Sequence, residues 1–215
     1  MFDVSYKKWL LKKREELGSV DAIAENIPSP IQAFLDDRLK PLTKQMDDRN
    51  VEYELLFDSS LYPNRKPKIL LQTCGHISGA TYYYKPSLVS DETWPPRSPG
   101  GKKPLFSLHS QMRANPEQFI GLCLHPIYGG HFAFRCVFLF PKIHLPNFTA
   151  PQPISILKSK EEIRKALERF NYNYWDSGFR DFGSPLKRYS PIQMEYFGML
   201  PSDRWSLIKR WCDMP

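Results

Sequence analysis

The sequence predicts an α+β fold, and three observations carry that expectation. Apolar residues recur at helical spacing near both ends of the chain, over 2–17 and 160–170. Between them lie short runs rich in β-branched and aromatic residues, at 51–58, 119–125 and 131–140. The last two are joined by a turn containing Gly129-Gly130, which can supply the positive φ angles of a tight hairpin. The expected architecture is a central antiparallel sheet flanked by helices, with no internal repeat. At 215 residues the chain is expected to form a single domain, 1–215, with a Pro/Gly-rich loop at about 86–104.

Taken in order, Phe2, Tyr6, Trp9, Leu10 and Leu17 form one helical stripe that Gly18 stops. Ser29-Pro30 reads as a cap and first-turn proline, starting a helix through Ile31, Phe34, Leu35 and Leu39 that Pro41 ends or kinks. VEYELLFD at 51–58 alternates as a strand. Then comes YPNRKPKILLQTCGHISGATYYYK at 62–85, a basic turn followed by a helix that Pro67 can begin. Cys74, Gly75, Ser78 and Gly79 leave one face of that helix almost bare. Each glycine there costs about 0.5–1 kcal/mol relative to alanine. Such a face either packs closely against a sheet or receives something large and flat.

The loop at 86–104 is either a lid or a tolerated insertion. The runs 119–125 and 131–140 are apolar on both faces, as in covered central strands. Arg135 inside the second therefore needs an anionic partner, either a structural carboxylate or a ligand. An extended, proline-punctuated crossing at 141–159 leads to a helix at 160–170 that turns Ile163, Ala166, Leu167 and Phe170 inward. Ser190-Pro191 and Pro201-Ser202 each start a further short helix, the last carrying Arg204, Trp205 and Ile208.

A hydrophobic fraction of 41% with 14% aromatics suffices for a core, which excludes wholesale disorder. No apolar run reaches membrane-spanning length, so no membrane partner is expected. The first residues show neither a signal core nor a cleavage site. Cys74, Cys123, Cys136 and Cys212 form no CxxC pair and read as free thiols in a reducing compartment. A soluble cytoplasmic protein is the expectation. The net charge of +7 suits anionic ligands, but the basic residues are dispersed and no nucleic-acid motif appears. No nucleic-acid partner is expected, and nucleic acid stays only as the weaker alternative.

The chemistry-bearing patterns are few. Cys123, His125 and His131 match no zinc spacing and lack a third ligand, so no metal site is expected. There is no GxSxG elbow, no catalytic-cysteine signature and no phosphate loop. Arg135, Arg180 and Arg204 lie near aromatics in three separate segments. Guanidinium forks suit carboxylates and aromatic faces suit flat ligands. The residues alone leave two readings open, a site for an anionic, planar ligand or three unrelated salt bridges.

PNRKPKILLQTCGHISGATYYY, GLCLHPIYGGHFAFR and FNYNYWDSGFRD, followed by SPLKRYS and PSDRW, resemble the CblC (MMACHC) family of cobalamin-processing proteins. The similarity runs nearly in register from Asp58 to Arg204, apart from the longer loop after Lys85. It is looser before Asp58, where relatives carry an additional segment ahead of the MFD match. The resemblance implies a flavin-nitroreductase-like fold that binds cytosolic cobalamin with its dimethylbenzimidazole tail off the cobalt. It implies removal of the upper ligand, by alkyl transfer to glutathione or by reductive loss of cyanide with FMN or FAD as a possible reductant. It also implies a CblD-type partner for delivery to methylcobalamin and adenosylcobalamin synthesis.

By position, the resemblance puts cobalamin contacts at Asp58, Ile69, Leu70, Leu71, Gln72, His76, Tyr83, Tyr84, Lys85, Cys123 and Phe134. It puts a glycine at Gly121 that would let the corrin approach the strand. Arg135, Arg180 and Arg204 match arginines that look like a glutathione pocket. Lys85 stands where relatives have glutamine and Phe134 where they have isoleucine, so both contacts are expected through backbone groups. Cobalamin enzymes that ligate cobalt with histidine are similar in a D-x-H-x-x-G motif. Here Cys74-Gly75-His76-Ile77-Ser78-Gly79 has the histidine and glycine without the aspartate. Five-coordinate, base-off cobalamin without a histidine ligand is therefore expected. A non-catalytic cobalamin chaperone and a flavin-dependent reductase are the rival readings.

Overall fold

The computed structural model describes residues 2–94 and 119–214, the side chain of Phe2 excepted. The expected loop is thus described only up to Trp94, and its remainder lies outside the described residues. Contacts within the chain divide it into two compact units, 1–53 with 189–215, and 54–188.

The first unit is helical: α1 (Phe2–Leu17), α2 (Val20–Asn26), α3 (Pro30–Asp48), and two helices from the chain's end. The expected stripe of α1 buries Tyr6, Trp9 and Leu10, whereas Leu17 is left outside the core. Gly18, at φ +90°, closes α1 by donating to the Arg14 carbonyl at 2.8 Å. The short α2 was not legible in the sequence, yet Ser19 caps it by accepting from the Ala22 N–H at 3.0 Å. Pro30 starts α3 as expected, but Pro41 does not end it. Pro41 is exposed, and the turn after it is supported by the Lys44–Asp48 pair at 2.8 Å.

Among the described residues, the second unit contains four short strands and two α-helices, α4 (Leu71–Ile77) and α5 (Lys160–Tyr172). β1 (Glu54–Phe57) pairs antiparallel with β4 (Cys136–Leu139), and Phe57 stands opposite Cys136. β2 (Tyr82–Tyr84) pairs antiparallel with β3 (Leu122–Leu124), and Tyr83 stands opposite Cys123. The α+β expectation holds. The expected hairpin ladder between 119–125 and 131–140 does not form. His125 and Gly129 exchange backbone hydrogen bonds at 2.8 Å, but the Gly130 N–H then turns to the Arg180 carbonyl at 2.9 Å. Each apolar run therefore pairs with an earlier strand.

Ser159 caps α5 by accepting from the Glu162 N–H at 3.1 Å, and Glu162 accepts in turn from the Lys158 N–H at 2.7 Å. The helix buries Ala166 and Leu167 against Tyr84, Phe119, Leu122 and Leu124. Its buried Asn171 accepts from the Ile120 N–H and donates to the Ile120 carbonyl, both at 3.0 Å. That amide holds the entry to β3. The last two helices are α6 (Pro191–Gly198), capped by Ser190, and α7 (Arg204–Asp213), both in the first unit.

Candidate functional site

A cavity of about 360 Å³ opens in the second unit, lined by Asp58, Pro67, Ile69, Leu70, Leu71, Gln72 and Phe134. Its wall is the segment that enters α4. The helix does not begin at Pro67, as the sequence suggested, because Pro67 is held in a bridge with Leu61. The chain stays outside the helix through Leu70, with Ile69 half-buried and Leu70 60% exposed. Leu70 thus presents apolar surface at the cavity mouth.

The bare face of α4 is filled from within the chain. A Cβ at Gly75 would lie 2.1 and 2.5 Å from Cζ and Cε1 of Phe134, and one at Gly79 would lie 2.6 Å from Pro151. The flat group against that face is thus the chain's own Phe134 ring, and packing accounts for the small residues. Gly79, at φ +73°, also ends α4 in the left-handed conformation. Phe134 also lines the cavity.

The residues on β2 and β3 take different roles. Tyr84 is fully buried and its hydroxyl accepts from the Ile156 and Leu157 N–H groups at 2.8 and 3.0 Å. Its side chain is a core strut, so a ligand could meet only its backbone. Gly121 does not leave open space. A Cβ there would lie 2.5 Å from Cε2 of Tyr83 and 2.9 Å from the Tyr84 carbonyl oxygen. The glycine seats the Tyr83 ring, and Lys85 Nζ lies over the same ring at 5.6 Å from its centre.

Cys123 Sγ points to the Gln72 carbonyl at 3.8 Å, linking β3 to the cavity wall. Burial pushes the Cys123 thiol up to about 11, although the neighbouring Thr81 hydroxyl works weakly the other way. That hydroxyl is itself buried and has no well-aligned hydrogen-bond partner. Alkylation of Cys123 by iodoacetamide, followed by peptide mass spectrometry, is expected to be roughly a hundredfold slower at pH 8 than for an ordinary cysteine. Its rate should rise about tenfold per pH unit towards 11. A midpoint near 8.5 would contradict this burial.

His76 accepts the Tyr83 N–H on Nδ1 at 3.2 Å and meets the Tyr82 ring edge-on at 5.2 Å. In a neutral imidazole this bond puts the remaining proton on Nε2.

The three arginines are each already engaged. Arg135 lies just before β4, its side chain 26% exposed, and its Nη1 donates to Asp58 Oδ2 at 3.0 Å. It is neither in a strand nor fully buried, and the carboxylate it requires is the cavity's own Asp58. Arg180 is 8% exposed; its Nη1 donates to the Gly130 carbonyl at 2.6 Å and its guanidinium lies over Phe179 at 4.7 Å. Arg204 belongs to the helical unit, where Nε donates to the Tyr196 carbonyl at 2.9 Å and the guanidinium stacks over Tyr196 at 4.8 Å. It borders a separate cavity of about 90 Å³ with Pro30, Ile31, Trp205 and Ile208. Asp58 and Arg135 are thus brought together, while Arg180 serves the turn at 125–131.

Among the described residues no three metal-ligating side chains cluster, and no helix is long and apolar enough to cross a membrane. The four cysteines are free thiols. Sequence reasoning missed Pro67 as a cavity wall and Asn171 as the clamp on β3. Neither residue carries a local signal, because each works through a partner far along the chain.

Residues 1–208 match the family model described as Methylmalonic aciduria and homocystinuria type C. The chain is 46% identical over 216 residues to an MMACHC-like protein of Caenorhabditis elegans, covering 99% of this chain and 74% of the relative. It is 30% identical over 208 residues to the cyanocobalamin reductase / alkylcobalamin dealkylase of Gallus gallus, covering 97% of this chain and 74% of that protein. The Homo sapiens protein of the same name is 32% identical over 158 residues, 74% of this chain and 49% of its own length. Among solved structures, that of a C. elegans B12-trafficking protein CblC, a human MMACHC homologue, superposes with a TM-score of 0.85 at 46% identity, covering 99% of this chain and 76% of that one. The chain belongs to the MMACHC family.

Proposed function

We propose that the chain binds cobalamin with its tail off the cobalt and removes the upper axial ligand, passing alkyl groups to glutathione and releasing cyanide reductively. One observation carries this reading. Six of the seven residues around the larger cavity, all but Pro67, are residues that the family resemblance assigns to cobalamin. The chemistry fits as well. Ile69, Leu70 and Phe134 offer apolar surface to a conjugated ring, while Asp58 and Gln72 suit the amide groups around its edge. The cavity is open, so it receives a face of the macrocycle and does not enclose it.

His76 helps to hold this wall without coordinating cobalt. With Nδ1 accepting from Tyr83, the proton rests on Nε2, which then has no lone pair to offer. Among the described residues no carboxylate pairs with the ring to make it a stronger ligand, in keeping with the missing aspartate.

In alkyl transfer, the glutathione sulfur attacks the cobalt-bound carbon. An S–C bond forms as the Co–C electron pair returns to the metal, giving cob(I)alamin and a thioether. The cofactor supplies this reactivity, and the chain needs no acid–base dyad for it. Its task is to position the thiol and favour the thiolate, since a free thiol of pKa about 8.5 is only a few per cent ionised near neutrality. Arg135 is the group suited to this role because Asp58 ties it to the cavity. Arg180 acts as a positioning residue through the turn that it holds. Loss of cyanide instead needs one electron per cobalt, supplied by reduced FMN or FAD. The product then passes to a CblD-type partner in the cytoplasm.

Incubating the protein anaerobically with methylcobalamin and glutathione should yield S-methylglutathione, detected by mass spectrometry. Cobalamin binding without thioether would make the chain a non-catalytic chaperone. Arg135→Gln should raise the glutathione KM about tenfold, a loss of roughly 1.4 kcal/mol, while cobalamin affinity changes less than about twofold. Matched losses of both would reduce Arg135 to a brace for Asp58.

A further inference from the structure

We propose that Phe134 and Gly75 together set the size of the axial group that the cavity accepts; this deepens the cobalamin reading and rests on it. Gly75 is buried within α4, and the tip of the Phe134 ring occupies the notch left by its missing Cβ, 2.1 Å from where that atom would be. The same residue lines the cavity beside Leu71 and Gln72. Half-buried, Phe134 stands between α4 and the cavity, so its ring forms a partition between them.

Neighbours crowd both the ring and the notch. Phe132 meets the ring edge-to-face at 5.1 Å, and the buried Thr81 oxygen lies 3.0 Å from the same absent Cβ. A methyl group at Gly75 forces the ring back by about 1.5 Å to reach ordinary carbon–carbon contact. Phe132 holds one side of the ring and α4 stands behind it, so the ring yields towards the cavity that Phe134 lines. Removing the ring has the opposite effect, joining the notch over Gly75 to the cavity. The two substitutions therefore move one wall in opposite senses, which a merely structural contact would not do.

The test compares dissociation constants for adenosylcobalamin and methylcobalamin, measured by absorbance titration on the full chain. Phe134→Ala should lower the adenosyl-to-methyl ratio at least tenfold, and Gly75→Ala should raise it at least tenfold. A ratio within twofold of wild type in both variants would overturn the proposal, as would a shift in the same direction in both. Equal weakening of both cobalamins would also overturn it, leaving the ring as support for the macrocycle alone. Circular dichroism reports whether each variant folds. Should Gly75→Ala fail to fold, Phe134→Trp must raise the ratio and Phe134→Leu lower it, and the reverse order refutes the idea. If the wild-type chain binds neither cobalamin, the functional reading itself fails, an outcome distinct from an unchanged ratio.

Discussion

Gly121→Asp is expected to abolish cobalamin binding and to destabilise the second unit. An added Cβ would sit 2.5 and 2.9 Å from Cε2 and Cζ of Tyr83, so the ring must leave its seat. The carboxylate would also lie beside the Tyr84 carbonyl, whose oxygen is 2.9 Å from that Cβ, adding repulsion between two acceptors. Tyr83 faces Cys123 across the β2–β3 ladder, so the disturbance reaches the strand that touches Gln72. A cost of about 3 kcal/mol is in the range of overpacking combined with an unpaired charge. Absorbance titration with hydroxocobalamin and a thermal melt check both effects. Wild-type affinity would show that the Tyr83 seat plays no part in the site. Adding Tyr83→Ala should recover much of the stability, because the two side chains compete for one space.

Arg180→Met should lower the melting temperature by about 6–12 °C, corresponding to about 3 kcal/mol for a chain of this size. Methionine keeps some of the apolar stem but removes the donor to the Gly130 carbonyl and the cation over Phe179. The orphaned carbonyl alone costs about 1–3 kcal/mol. Gly129 and Gly130 fit so closely against Arg180 that Cβ atoms there would lie 2.6 Å from its carbonyl oxygen and 2.8 Å from its Cα. The turn and the arginine are one assembly. Differential scanning calorimetry measures the shift, and a change under 2 °C would leave Arg180 available for ligand contact instead.

Some of this was legible in the chain. The helices expected over 2–17 and 160–170 follow from apolar spacing and, for the first, a stopping Gly18, all local signals. The strands were visible as runs, but their partners were not, since pairing depends on residues elsewhere. Gly129-Gly130 suggested a hairpin ladder, and Arg180, fifty residues on, takes the Gly130 N–H instead. The bare face of α4 was legible too, but its occupant was not. Phe134 reaches Gly75 only once the fold has formed. The need of Arg135 for an anionic partner follows from the cost of desolvating a guanidinium, yet only the structure identifies Asp58, 77 positions away, as one. That Tyr84 is fully buried was not legible either, because its side chain is held by Ile156 and Leu157, more than seventy positions away.

The central claim is base-off cobalamin held by the Asp58–Phe134 cavity without a protein ligand to the metal. Electron paramagnetic resonance of cob(II)alamin bound to the protein tests it most directly. The expected spectrum lacks nitrogen superhyperfine splitting, and it should be unchanged in His76→Ala. Triplet splitting in the wild-type spectrum would contradict the claim: lost in His76→Ala, it would make His76 a cobalt ligand, and retained, it would mean that the tail stays on the metal.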